Sequence, residues 1–207
     1  MAMKWKIWLL PMVLGALLLT SWGALAQPAM GGTGNSVVID PVGDAFPPYV
    51  DIILAKITQQ GNGQISFTIV LATQVMPNKT ALYAWFIDKA GTNNGLLNPG
   101  DFSVNLVFNG TAWTSNLTKA TIAGQPILGA VDTGVRCSFA VLGSTVRVMI
   151  PSAALQKLNM TDPTFSVGMF HWWAVTRYGS LGPPNADRAP DAPPLPGTAL
   201  WAFRDRP

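Results

Sequence analysis

Gln64-Ile65-Ser66-Phe67-Thr68-Ile69-Val70-Leu71 puts Ile65, Phe67, Ile69 and Leu71 at every second position. Side chains of an extended chain point alternately to opposite faces, so this period marks a strand with one buried side. The pattern returns in Phe102, Val104, Leu106 and Phe108, with Ser103 and Asn105 turned the other way, and again in Val146, Val148 and Ile150. Further strand-like runs cover residues 50–58, 82–87, 112–117, 135–142 and 165–176. Turn residues separate them: Gly61-Asn62-Gly63, Asn93-Asn94-Gly95, Pro99-Gly100 and Asn109-Gly110. Asn tolerates the left-handed backbone and Gly adopts it freely, which makes Asn109-Gly110 the sharpest hairpin signal. Strands at this spacing, apolar on one face and polar on the other, predict an all-β fold, an antiparallel two-sheet β-sandwich.

One short helix is expected over residues 152–158, with Pro151 before it and Ser152 as its cap. Beyond Gly179 the chain carries Pro183, Pro184, Pro190, Pro193, Pro194 and Pro196. Proline lacks the backbone donor that a helix interior or a central strand requires. The expected organisation is therefore a sandwich over residues 27–181 and a Pro-rich segment over 182–207 that packs on it or trails from it.

Lys4 and Lys6 precede an apolar run over residues 7–19, and Ala24-Leu25-Ala26 follows. A basic start, an apolar middle and small residues at a cut site form a secretory leader, here residues 1–26. The run is shorter than the roughly twenty residues that span a bilayer, and Pro11 interrupts it. The expectation is export to the periplasm or the extracellular space, without stable membrane insertion. Without Lys4 and Lys6, the thirteen basic residues become eleven against ten acids, with no basic stripe to follow a phosphate backbone. No nucleic-acid partner is expected. All ten acids are Asp; one Cys excludes an internal disulfide, and one His excludes multi-histidine metal sites.

Asp40-Pro41-Val42-Gly43-Asp44 sets two carboxylates around a glycine just before a strand, and Asp51 follows shortly. Asp187-Arg188-Ala189-Pro190-Asp191 repeats the spacing near the other end of the chain. Calcium takes six to eight oxygens from carboxylates, carbonyls and water, which short Asp turns supply. Asp is also a common turn residue, since its side chain bonds nearby amides, and that alone accounts for either loop. If the sandwich brings the two loops to one edge, Asp40, Asp44, Asp187 and Asp191 form a shared calcium site. Asp88 and Asp101 flank a third polar loop, for which a tight turn is a sufficient explanation.

These motifs carry a resemblance. Asp40-Pro41-Val42-Gly43-Asp44, then Pro48-Tyr49-Val50-Asp51-Ile52, resembles extracellular domains of the DOMON-like, family-9-carbohydrate-binding-module-like superfamily. Trp85-Phe86-Ile87-Asp88 with its Asn-Gly turn, Gly100-Asp101-Phe102, Val148-Met149-Ile150-Pro151 with Ala153-Ala154-Leu155, and the closing 187–191 motif follow in the same order. The similarity covers residues 37–191. It implies a β-sandwich, often with bound calcium, that binds sugars or, in some relatives, haem. The middle loop departs from the pattern: Asp88-Lys89-Ala90 stands where Asp-Thr-Asp is common, so a ligand carboxylate is missing there.

Trp85, Trp113, Trp172, Trp173 and Trp201 follow the leader. Flat indoles bury the C–H face of a sugar ring, so Trp85, Trp113, Trp172 and Trp173 are the candidate carbohydrate platform; core packing is the competing reading for each. Trp172 and Trp173 are adjacent and must point to opposite faces. His171 reads as a core or edge residue, or as an axial haem ligand with Met76 or Met149 as the sixth ligand. Cys137 reads as a small buried apolar residue. Asn78, Asn109, Asn116 and Asn159 fit the N-glycosylation pattern, which matters only in a host that modifies asparagine.

The function expected is therefore a non-catalytic secreted domain that binds carbohydrate or a cell-surface polymer and holds structural calcium. A haem-binding electron-transfer domain and a cell-envelope assembly protein are the alternatives. No enzyme is expected, because the aspartates stand in turn contexts that already explain them.

Overall fold

The computed structural model describes residues 30–32, 34–75, 80–88, 97–123, 129–161, 169–179, 186–189 and 199–202. The strands are β1 (Met30–Gly32), β2 (Asn35–Ile39), β3 (Ile52–Gln59), β4 (Gln64–Leu71), β5 (Ala81–Asp88), β6 (Phe102–Phe108) and β7 (Trp113–Lys119). Then come β8 (Val131–Arg136), β9 (Ser138–Leu142), β10 (Thr145–Pro151), helix α1 (Ser152–Thr161), β11 (Met169–Tyr178), β12 (Ala186–Ala189) and β13 (Ala199–Ala202). One sheet runs β1-β2-β3-β4-β10-β9 and the other β12-β11-β5-β6-β7-β8, with β13 pairing β11 beside β12. Every pairing is antiparallel. The fold is an all-β two-sheet sandwich.

The alternating residues meet between the sheets. Ile57, Ile65, Phe67, Ile69, Val146, Val148 and Ile150 from one sheet pack on Tyr83, Trp85, Ile87, Val104, Leu106 and Trp172 from the other. Phe67 and Trp85 meet edge to face with ring centroids 6.0 Å apart. A buried polar link crosses this layer: Trp172 Nε1 donates to Ser36 Oγ at 3.0 Å, and both residues are fully buried. An indole N–H taken out of water needs such an acceptor.

The Asn109-Gly110 signal marks the β6–β7 hairpin. Phe108 pairs with Trp113 across a loop in which Asn109 Oδ1 accepts from the N–H groups of Thr111 and Ala112. The expected run over 135–142 divides instead into β8 and β9, which belong to different sheets with Cys137 at the corner. Val135, Cys137 and Val141 pack on the core from both sides of that corner, so the apolar period continues through it. The Pro-rich segment also enters the sandwich. Ala186–Ala189 pairs with residues 174–177 of β11 and Ala199–Ala202 with residues 169–172, so sheet pairing continues past residue 181. Both strands lie at the sheet edge, where proline neighbours are tolerated.

The second sheet is apolar on both sides along β5 and β11. Leu82, Ala84, Phe86, Leu97, Trp173 and Val175 form a second cluster outside the sandwich layer. Beside it, Asn105 Nδ2 donates to Thr118 Oγ1 at 3.0 Å, in a buried polar row with Ser103. Among the described residues, no helix is long and apolar enough to cross a membrane. Residues 1–26, where a leader is expected, lie outside the described residues.

Candidate metal centre

Residues 40–51 connect β2 to β3 across one end of the sandwich. Asp40 continues the ladder, its N–H donating to the Ile53 carbonyl at 3.2 Å. Gly43 then turns the chain with φ +91°, a conformation that costs an L side chain energy and glycine almost nothing. That turn aims the Gly43 N–H at Asp51 Oδ2, 2.7 Å away. The loop is anchored to the opposite sheet by Thr176 Oγ1, which donates to the Val50 carbonyl, and by Tyr83 OH, which donates to the Tyr49 carbonyl at 3.3 Å. The rings of Tyr49 and Tyr178 meet edge to face at 4.9 Å.

Asp187 approaches from β12. Its Oδ2 accepts from the Ile52 N–H, 135 residues away in sequence, and its Oδ1 accepts from the Arg188 N–H at 2.6 Å. Asp187 therefore lies beside the 40–51 loop at one edge. A carboxylate oxygen from each of Asp40, Asp44 and Asp187 falls within 4.8 Å of the other two. Asp44 is exposed, whereas Asp40, Asp51 and Asp187 are at most 8% exposed.

Asp51 stands beside this triad, close enough to interact with Asp44 and Asp187, and its place in the sequence did not mark it as a ligand. Its Oδ2 takes the Gly43 N–H, but its Oδ1 is buried without a donor. Burial raises the Asp51 carboxyl; the Gly43 N–H opposes this, and the neighbouring Asp44 adds to it. Asp187 is pushed up to about 6 by burial against the pull of its two backbone donors, with repulsion from Asp44 and Asp51 adding to the rise. Charge accumulated in a poorly hydrated site favours either a proton or a cation. Oxygens on opposite sides of one calcium, each about 2.4 Å from it, lie roughly 4.8 Å apart, so this triad is compact enough to share an ion. The donors are all oxygen, which suits hard cations better than zinc or copper. Asp191 lies outside the described residues.

The indole platform needs correction. Trp85 and Trp172 are 0% exposed and Trp173 is 1% exposed. Trp85 and Trp172 fill the inter-sheet layer, while Trp173 packs on Phe86 at 5.4 Å and lies under the Arg188 guanidinium at 5.0 Å. None of the three offers a free ring face. The opposite orientation of Trp172 and Trp173 holds, but the outer side of β11 is itself buried. Trp113 is half-buried, its ring 5.0 Å from Phe108 and 6.0 Å from Tyr83.

His171 and Met149 lie on opposite outer faces of the sandwich. Along β11, Phe170 and Trp172 face the core, so His171 faces outward; along β10, Val148 and Ile150 face inward, so Met149 faces outward from the other sheet. The sandwich separates them. Met76 lies outside the described residues. Cys137 follows β8, four strands from β11, which places it about 19 Å from the strand of His171 at the usual strand spacing. Burial pushes its thiol up to about 11, so it stays protonated at neutral pH. Asp101 Oδ2 accepts from the Asn98 N–H at 2.7 Å, the turn role expected of that loop.

The fold and site together define a β-sandwich with an acidic cluster joining an early loop to a late strand. No family model, curated protein or solved structure matches the chain.

Proposed function

We propose that this chain is an exported, non-catalytic β-sandwich binding module whose early loop and late strand are clasped by a divalent cation, calcium by the chemistry of its donors. The observation that carries the proposal is Asp51: a 2% exposed carboxylate with a buried, donor-free Oδ1, beside the triad of Asp40, Asp44 and Asp187. A cation would offset the negative charge that the four carboxylates bring together and would give Asp51 Oδ1 a partner. Residues 1–26 direct export, and the partner is carbohydrate or another cell-surface polymer. The partner class rests on the family resemblance, with Trp113 the remaining half-exposed indole among the four candidates. The cation's role is structural, since it would join segments that are distant in sequence.

Asp51→Asn tests the clasp. The amide retains an acceptor for the Gly43 N–H and removes one negative charge. In chelator at pH 7 the variant should equal or exceed the wild type by about 1 kcal/mol, because a buried like charge is gone. Its melting shift on adding millimolar calcium should fall to less than half that of the wild type. A full calcium shift in the variant would remove the proposal. Binding to a glycan array in calcium tests the partner class separately.

A further inference from the structure

We infer that β9 is a self-complementary sheet edge through which two copies of this chain pair, joining their six-stranded sheets into one. Four edges bound the two sheets, and three carry features that discourage pairing. β8 contains Asp132, Gly134 and Arg136, and its register with β7 shifts between Asn116 and Thr118. β1 is three residues long and lies against β13. The β12–β13 edge is interrupted: Ala189 pairs with Ala174 and Ala199 with Trp172, so nine residues of chain separate positions two apart on β11. Short strands, charges and irregular register are the usual protections of an exposed edge.

β9 has none of them. Ser138-Phe139-Ala140-Val141-Leu142 contains no charge, proline, glycine or bulge, and among the described residues nothing pairs with its outer side. Leu142 pairs with Thr145 across the two-residue turn Gly143-Ser144. Such a turn closes on a hydrogen-bonded pair, and bonded and non-bonded pairs then alternate. Leu142 and Ala140 thus spend their backbone groups on β10. The N–H and C=O of Phe139 and Val141 point outward.

An antiparallel second copy centred on Ala140 sets Phe139 opposite Val141 of that copy, and the reverse. All the outward groups then pair, forming four N–H···O bonds. Phe139 and Val141 stand on the inner face, opposite Val148 and Val146 of β10. Phe139 is nevertheless 40% exposed, because the sheet ends there. Pairing would carry the inner apolar layer across the two-fold axis. Leu142, 73% exposed on the outer face, would meet Ser138 of the second copy, with no like charges opposed. The occupant is a second copy because a strand of this composition matches itself in register, polarity and charge. A five-residue ladder is a small interface, so the association is expected to be weak and concentration-dependent.

Sedimentation equilibrium from micromolar to millimolar protein, in chelator, tests this independently of the cation reading. The wild type should pass from monomer to dimer. Val141→Pro removes an outward donor while leaving the bonds to β10 intact, and Phe139→Lys places a charge at the pairing face. Each should weaken dimerisation at least tenfold while the far-ultraviolet circular dichroism is retained. If Val141→Pro does not fold, Phe139→Lys decides alone. A wild type that stays monomeric throughout, a dimer that persists in every folded variant, or association only in calcium would overturn the inference.

Discussion

Trp172→Ala is expected to lower stability by about 4 kcal/mol. Removing a large aromatic from a packed core costs about 3–5 kcal/mol, from lost transfer energy and the cavity left behind. Trp172 is 0% exposed between the sheets. The change also takes the donor from Ser36, whose hydroxyl is buried at the same place. Against a total stability of about 5–15 kcal/mol this is a large fraction, and it corresponds to a fall in melting temperature of roughly 10 °C for a domain of this size. Trp113→Ala, at a half-buried ring, should cost less than half as much. Denaturant titration of both variants measures the difference. A Trp172→Ala protein within 1 kcal/mol of wild type would show a ring outside the core, as the stacking-platform reading supposed.

The second expected result is a reversal of pH dependence by calcium. An aspartate in the unfolded chain titrates near 3.8, whereas Asp187 in the folded protein is pushed up to about 6. Between those values the native state holds a proton that the unfolded chain has released, so stability falls as pH rises through the window. The metal-free protein should lose on the order of 3 kcal/mol between pH 4 and pH 7, since a tenfold change in proton affinity is worth about 1.4 kcal/mol. The raised Asp51 carboxyl acts in the same direction. Calcium binds the ionised carboxylates and competes with protons, so with calcium in excess stability should rise over the same window. At a hundredfold excess over the dissociation constant the ion adds about 2.7 kcal/mol. Melting curves across this range, with chelator and with calcium, should cross. Two parallel curves would show that the cluster takes protons only.

Much of the sandwich was legible because alternation is a direct consequence of the pleat. Ile65, Phe67, Ile69 and Leu71 face the core as their spacing requires, and so do Val146, Val148 and Ile150. The corner at Cys137 was not legible. Val135, Cys137 and Val141 keep the apolar period across it, and no proline or asparagine-glycine pair marks the break. The fate of the indoles was half legible. Pleating sends Trp172 and Trp173 to opposite faces, but it does not say that Leu82, Phe86 and Leu97 enclose the outer one.

In the acidic cluster, Asp40, Asp44 and Asp187 were readable from their turns, and their convergence follows from the closeness of β3 and β12. Asp51 escaped because it stands between Val50 and Ile52, inside an apolar run that reads as strand. A charge in such a run is itself the signal. Its cost is accepted only where something offsets it, here the Gly43 N–H and, in the proposed state, an ion.

The central claim is that the early loop and the late strand share one divalent cation, and calorimetric titration of chelated protein with calcium tests it most directly. The account predicts binding of one ion per chain for the wild type, lost in Asp40→Asn and in Asp187→Asn alike, although the two positions belong to opposite ends of the chain. Absence of binding at millimolar calcium, or binding that survives either substitution, would contradict it.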